Sequence, residues 1–349
     1  MKSKPDSTRK GSAARTLPLG KLPMEMLHSL LVEIGTNDSV LQGPGIGLDC
    51  AVLDMGNQLL VVKSDPITFT ASNIGWYAVH VNANDIVTTG AKPSWFVATL
   101  LLPEKGTDEQ LVRSILNQIE SACEETGAVL VGGHTEITSG LDRPILSGTM
   151  IGVTTKERLK SPSRIQPGDT ILLTKSIAIE AASILAEEFK TQLQDLIPGT
   201  ILQQARSFLY DPGLSVLPEA RIASEYNGVH AMHDPTEGGL SGALWELSYA
   251  GSVRLIIEKK LVPLSNEANL ICSAMNINPW EAIASGSLLI SVSPEDAEVL
   301  QKQIRSSGIE VAEIGFAEKG EGVFLSEGDS QTILPKPKRD AIATLFEKN

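Results

Sequence analysis

From Leu17 onward, short apolar runs alternate with longer segments whose apolar residues recur at helical spacing, and this alternation restricts the fold more than any other feature of the 349-residue chain. Strands repeat every two residues and helices every 3.6, so neither pattern buries its apolar face in the other's geometry. Met24, Leu27, Leu30, Leu31 and Ile34 predict a helix over 23–34. Strands follow at Cys50–Leu53 and Leu59–Lys63, then a helix over 73–89 and a strand at Trp95–Leu102 closed by Pro103. An amphipathic helix over 108–126 and strands at Ala128–Val131 and Ile145–Val153 end the first half. The turn-rich stretch SPSRIQPGD, Ser161 to Asp169, reads as a domain junction. Past it come a strand at Thr170–Thr174, a helix over 177–189, a partly helical stretch over 190–213 and a helix over 218–226. Ala231–His233 leads into a loop, Gly239–Ala250 is helical, and strands at Leu288–Val292 and Val311–Phe316 flank a helix over 294–306. The alternation favours an α+β or α/β architecture. The length suits two domains, each large enough to bury its own core.

Charge narrows the function classes. The formal net charge is −13, and residues 1–16 concentrate Lys2, Lys4, Arg9, Lys10 and Arg15 against Asp6 alone, so the rest is more acidic still. An acidic body argues against a nucleic-acid binder that tracks phosphates. It is compatible with phosphate ligands where Mg²⁺ sits between carboxylates and a polyphosphate. No run approaches the roughly 18 apolar residues of a membrane span, and no signal peptide follows the basic start. The three cysteines, Cys50, Cys123 and Cys272, are far apart and form no C-x-x-C pair. They read as small core residues of a protein in a reducing compartment, and the expected location is cytoplasmic. Residues 1–16 read as a disordered basic tail, 17–160 as an N-terminal domain, 161–335 as a C-terminal domain and 336–349 as a C-terminal tail.

Several familiar signatures are missing: there is no G-x-x-x-x-G-K-[ST], no G-x-S-x-G, no H-E-x-x-H and no zinc-spaced Cys/His cluster. The alternating Gly43, Gly45 and Gly47 lead into a strand, so the dinucleotide fingerprint is not met. What recurs is a single acidic residue at the edge of a Gly- or Pro-marked loop: Asp49, Asp65 in KSDP, Asp85 in VNANDIVTTG, Glu136 in VGGHTE and Asp234 in HDPTEGG. Each is a turn former or helix cap on one reading. On the other, carboxylates from separate strand ends converge on a hard cation. In the helix over 73–89, Asn82, Asp85 and Thr89 form a polar stripe, and His80 and Asn84 a second pair, either as a solvated face or as ligands aimed into a cleft. Gly238 and Gly239 open a helix and would let a phosphate approach its free N–H groups, with Asp234 or Thr236 as caps on the plainer reading. Gly132-Gly133 reads as a similar loop, and His134 beside it as structural or as a phosphate or proton contact. Lys63 either faces a phosphate or is solvated.

Together these segments resemble the aminoimidazole-ribonucleotide-synthetase-like ATP-binding superfamily. The resemblance rests on GLDCAVLD (47–54), KSDPITF (63–69), GWYAVHVNANDIVTTGAKP (75–93), VGGHTE (131–136) and HDPTEGGL (233–240), and GKLP at 20–23 points to the hydrogenase-maturation branch. It implies an α+β, two-domain AIR-synthase-like fold, with an N-terminal α/β domain that forms a barrel in a homodimer and a C-terminal α+β domain. It further implies that Asp49, Asp65, Asp85 and Asp234 hold Mg²⁺ on ATP. Asn84, Gly132, Gly133, Thr236, Gly238 and Gly239 would bind the nucleotide, and His134 and Asp85 would be catalytic. A small-molecule acceptor would receive the phosphate. Two departures stand out. The hydrogenase-maturation enzyme carries its substrate on a C-terminal cysteine, whereas this sequence ends ATLFEKN and its last cysteine is Cys272, so thiol-borne dehydration is not expected. AIASGSLLISV (282–292) also lacks the acidic residue that relatives place before the glycine. The leading expectation is an ATP- and Mg²⁺-dependent enzyme that activates a small metabolite. The alternatives are a nucleotide-binding assembly subunit without turnover, and a maturation factor that uses a partner's cysteine.

Overall fold

The structure, a computed structural model, describes residues 17, 19–22, 24–31, 33–328 and 330–347. The basic tail expected over 1–16 lies outside them. The first domain contains α1 (Met24–Leu31), β1 (Val40–Gln42), β2 (Ala51–Asp54), β3 (Leu59–Ile67), α2 (Ile74–Thr88), β4 (Lys92–Pro103), α3 (Glu109–Thr126), β5 (Val129–Thr138) and β6 (Ile145–Thr154). Its sheet runs β1-β2-β3-β6-β4-β5, antiparallel except where β4 pairs with β5. The second domain contains β7 (Thr170–Thr174), α4 (Ile179–Glu188), α5 (Lys190–Leu193), α6 (Gly199–Ser207), α7 (Leu217–Ser224), β8 (Val229–His233), α8 (Gly239–Gly251), β9 (Val253–Glu258) and α9 (Asn266–Ala274). It continues with β10 (Leu289–Val292), α10 (Pro294–Ser306), β11 (Val311–Lys319), β12 (Gly322–Glu327), β13 (Ser330–Ile333) and α11 (Ala343–Phe346). Its sheet runs β13-β12-β9-β11-β7-β10-β8, with β12 and β9 parallel. Two mixed sheets with segregated helices make this the α+β fold that the sequence predicts.

Local chemistry explains the elements that position the site. Asp108 caps α3 by accepting the Leu111 N–H at 2.8 Å, and Gly127 closes it in the left-handed conformation. In β6 every second residue, among them Leu146, Gly148, Met150 and Gly152, is buried toward α2. All of α2 is buried, because it lies between the first sheet on one side and α3 and α7 on the other. In the second domain β7 is buried on both faces. Ile171 and Leu173 pack under α8 with Leu244 and Leu247, while Leu172 faces the core shared with α2, α4 and α7. That shared core runs from Cys50 to Ile342 and joins the two domains.

Three features differ from the sequence reading. Gly132 and Gly133 lie inside β5, not in a loop after it. The segment expected as a tail over 336–349 folds back where it is described: Ile342 and Ala343 are fully buried, and Phe346 packs on Phe69 and Phe189. The strands β1, β9, β12 and β13 and the helix α9 carry no strong signal. β9 follows α8 through Ser252, a left-handed residue that is not glycine, and β13 is the exposed polar run SQTI.

Candidate functional site

A cavity of about 790 Å³ opens between the loop 43–51, β3 and α1 of the first domain and α4, α8 and residues 337–340 of the second. Of the four predicted carboxylates, each on a different element, Asp49 and Asp65 line it, while Asp85 and Asp234 are buried outside the lining. Asp49 leaves a loop closed by the Gly45–Leu48 bridge. Gly47 in that loop has φ +70°, and a Cβ there would stand 2.7 Å from the Glu246 carbonyl, so glycine lets the loop lie on α8. Asp65 stands on β3, with its N–H donated to Asn82 Oδ1 at 2.9 Å, while Asn82 Nδ2 donates to the Asp65 and Ala78 carbonyls. Asp85 is on α2 and Asp234 at the exit of β8, each 1% exposed. The polar stripe of α2 is therefore a buried set of site and tie residues, not a solvated face.

Two charge arrangements hold this cluster. Lys63 Nζ forms ion pairs with Asp65 Oδ2 at 3.1 Å and Asp85 Oδ2 at 3.0 Å. His233 sits between Asp49 Oδ2 and Glu246 Oε2, 3.0 Å from each, and Lys21 pairs with Glu246 at 3.4 Å. Burial opposes charge on His233, but Asp49 and Glu246 outweigh it and raise the imidazole well above its ordinary range. Burial likewise pushes Asp49 upward, yet the His233 charge prevails and holds it well below the usual carboxylate range. Asp85 is raised well above that range by burial, against the pull of Lys63. Asp234 is raised to about 6 by burial and by the neighbouring Asp49 charge.

Asp234 has the Asp85 carboxyl as its side-chain partner and no N–H or hydroxyl donor on either oxygen, and one ligand atom each from Asp49, His233 and Asp234 lie within 4.8 Å of one another. A buried carboxylate without such a donor is costly unless a cation satisfies it. A carboxylate set of this kind suits a hard divalent ion.

The other predicted residues divide. Thr236 and Gly238 line the cavity. The Gly238 N–H is donated to Asp340 Oδ2 at 2.8 Å and the Gly239 N–H to the Thr236 carbonyl, so neither donor is free for a phosphate. Asn84 spends its amide on the second domain, donating to the Leu214 carbonyl at 2.7 Å and accepting the Val216 N–H at 3.0 Å. Gly132, Gly133 and His134 sit on β5, at the far edge of the sheet and outside the cavity lining, with His134 Nε2 3.0 Å from Glu136. At Gly133 a Cβ would collide with the Ala98 carbonyl, which accounts for the glycine without a ligand.

Sequence reasoning missed two further buried acidic groups that line the cavity. Glu180, 4% exposed, leaves Oε2 without a hydrogen-bond partner near Ser285, and Asp340 accepts the Gly238 and Ile342 N–H groups. His233 stood in the HDPTEGG segment, and its pairing is visible only in the fold.

Residues 47–154 match the family model of the AIR synthase related protein N-terminal domain, and 166–327 match that of the C-terminal domain. A Methanocaldococcus jannaschii protein named for hydrogenase expression and formation is 27% identical over 342 residues, 93% of this chain and 96% of its own. The carbamoyl dehydratase HypE of Cupriavidus necator is 26% identical over 306 residues, 85% of this chain and 83% of its own. Among solved structures, a HypE–HypF complex superposes with a TM-score of 0.70 at 21% identity, covering 83% of this chain and 93% of that one. AaThiL complexed with AMPPCP and TMP gives 0.69 at 21% identity, covering 90% and 94%. HypE in complex with ATP gives 0.65 at 21% identity, covering 89% of each chain. At that identity the structural matches speak for the fold.

Proposed function

The chain belongs to the AIR synthase related family, and from that premise we propose that its interdomain cavity binds ATP with Mg²⁺ and phosphorylates a small-molecule acceptor in a hydrogenase-maturation-like role. The observation that carries the reading is the cluster of Asp49, His233 and Asp234, whose ligand atoms lie within 4.8 Å of one another beside a cavity of about 790 Å³ that Asp49 lines. Such a volume accommodates a nucleotide-sized ligand. Relatives named for hydrogenase formation and a fold shared with HypE in complex with ATP support it. Asp49, Asp65, Asp85 and Asp234 are the proposed Mg²⁺ ligands, and Thr236 with Gly238 lies where the phosphates would pass.

Phosphoryl transfer asks a protein mainly for positioning and charge neutralisation. Bound Mg²⁺ would supply the charge that draws electrons toward the phosphate oxygens. The chain's own residues do the rest. His233 fixes Asp49, Asn82 fixes Asp65, and Lys63 adds a cation beside Asp85. The acceptor would sit beside Glu180, which lines the cavity together with Ile184 and Ile283. His134, with Gly132 and Gly133, would serve a site only from a second copy joined along β5, whose length is exposed up to Thr138. We therefore read the protein as a homodimer, with a cytoplasmic location inferred from its three unpaired, buried thiols.

A second reading is favoured by one observation: Cys50, Cys123 and Cys272 are all buried, and burial pushes the Cys272 thiol up to about 12. A thiol-borne step would then use a partner protein's cysteine, in keeping with the HypE–HypF complex among the structural matches.

Thermal melting with ATP, with and without Mg²⁺, tests the proposal. A ligand at a hundred times its dissociation constant adds about 2.7 kcal/mol of stability. The expected result is a Mg²⁺-dependent rise that Asp234→Asn loses while keeping its unliganded melting temperature. No rise at millimolar ATP removes the nucleotide reading. A rise without ADP release under any acceptor favours a binding subunit, and release that appears only with a partner protein favours the second reading.

A further inference from the structure

Six acidic side chains line the interdomain cavity, and four of them have a cation of the chain beside them. His233 stands at Asp49, Lys63 at Asp65, and Lys21 at Glu246 and Glu237. Glu180 and Asp340 form no ion pair with a described residue. The charged groups that act most on them are carboxylates, Glu237 and Asp234 on Glu180, and Glu237 and Glu180 on Asp340. The other basic residues that line the cavity are spent elsewhere, Arg339 on Glu347 and Lys338 in an exposed position. Asp340 is satisfied without a cation, because it accepts the Gly238 and Ile342 N–H groups at 2.8 and 2.9 Å. Glu180 is 4% exposed, and although Ser285 donates to its carboxyl, Oε2 is left without a hydrogen-bond partner. An ionised carboxylate can accept at both oxygens, and burying one with neither cation nor donor is costly. The wall around it is apolar. Ile184 lies one turn further along the same face of α4, and the Ile283 carbonyl accepts the N–H of Ala181, the residue after Glu180. Both isoleucines line the cavity.

We propose that the acceptor is an organic cation, whose ammonium or amidinium nitrogen docks on the Glu180 carboxylate while its apolar body packs on Ile184 and Ile283. The proposal rests on the nucleotide reading above, which places the phosphate acceptor beside Glu180, and it narrows that acceptor to one chemical class. A nitrogen cation brings both things that Glu180 lacks, a positive charge and N–H donors. A neutral alcohol brings a donor alone. An anion brings neither, and it meets the like charges of Glu180, Glu237 and Asp340 in a buried setting, where repulsion is strong. Glu180 thus selects for cations and against neutral and anionic molecules of the same shape.

Benzamidine is the probe and benzamide its control, an amidinium and a neutral amide of nearly the same shape on the same ring. Both are titrated by calorimetry into the full-length protein above the value of about 7 to which burial raises Glu180, so that the carboxyl is ionised. Benzamidine should bind the wild type at least about tenfold more tightly than benzamide, as a charge-assisted hydrogen bond to a carboxylate requires. Glu180→Gln keeps the shape and removes the charge, and it should erase that preference. Equal affinities in the wild type, or binding of neither compound, overturn the proposal. A folded Glu180→Gln protein that still prefers benzamidine also overturns it, because the cation then sits on another carboxylate. Should Glu180→Gln not fold, crystals of the wild type grown with benzamidine decide. An amidinium nitrogen about 2.7–3.2 Å from the Glu180 carboxyl supports the proposal, and an amidinium elsewhere overturns it. Failure of the nucleotide reading looks different: melting with ATP and Mg²⁺ would show no rise while benzamidine still binds through Glu180.

Discussion

Single carboxylates in this cavity are set apart by what stands next to them. Asp49 has an imidazolium and is held ionised, whereas Glu180 has Ser285 and apolar walls. Burial, reinforced by Glu237 and Asp234 and opposed by hydrogen bonds from Ser285, raises Glu180 to about 7 from an ordinary value of 4.5. The folded chain therefore holds this proton more tightly than the unfolded chain, and stability falls as pH rises from the unfolded value toward about 7. Glu180→Gln removes the charge and should flatten that part of the profile. We expect equal stability at pH 4.5 and a variant more stable by at most about 3 kcal/mol at pH 8, as a fully buried shift of this size converts. Denaturant melts of both proteins across that range check it, and parallel profiles would refute it. The same contrast explains what the sequence displayed. Asp49, Asp65, Asp85 and Asp234 stand beside glycines and prolines that mark turns, which made them visible. Glu180 sits in the first turn of an alanine-rich helix, where an acidic residue is what any helix dipole favours.

At the scale of elements, α2 and β5 show how a correct pattern can leave the environment open. The helix over 73–89 was legible from its spacing, but a polar stripe reads the same whether it faces water or a packed partner. The difference comes from α3, α7 and the sheet enclosing it, which are contacts distant in sequence. Asn82 is the tie that depends most on that enclosure. Asn82→Ala leaves the Asp65 N–H and two carbonyl acceptors without their partner, and we expect a loss of roughly 1–3 kcal/mol, the usual cost of stranding buried polar groups. Chemical denaturation reads it directly, and a change below about 0.5 kcal/mol, the range of an ordinary surface substitution, would show that the tie carries no weight. In β5, two adjacent glycines suggested a loop. The strand instead runs through them at a register shift opposite Phe96 and Val97, where glycine admits the Ala98 carbonyl. Glycine inside a strand marks close approach or a bulge as readily as a turn. Local sequence cannot choose, because the approaching carbonyl belongs to another strand.

For the whole molecule, the two-domain α+β plan followed from the alternation of elements, while the surfaces the molecule presents follow from where its sheets end. The first sheet ends on β5, which pairs with β4 on one side and exposes Val129 at 59%, Val131 at 54% and Ile137 at 60%. An apolar edge strand left open invites pairing with any other strand, and proteins usually charge, shorten or cover such edges. β5 has ten residues, and its described charge is confined to Glu136 and, when protonated, His134, so covering by a second copy is the remaining device. The expected species is a dimer, seen by sedimentation at twice the chain mass. Ile137→Lys places an ammonium on a side chain that the single chain already exposes, so circular dichroism and the unfolding transition of the separated chain should be unchanged. Within a dimer the same ammonium would be buried without a partner, which association cannot tolerate. The variant should therefore sediment at the mass of one chain at concentrations where the wild type is paired. A wild type that sediments as a single chain would remove the interface, an Ile137→Lys protein that stays paired would move it away from β5, and either would leave His134 with no route to a nucleotide.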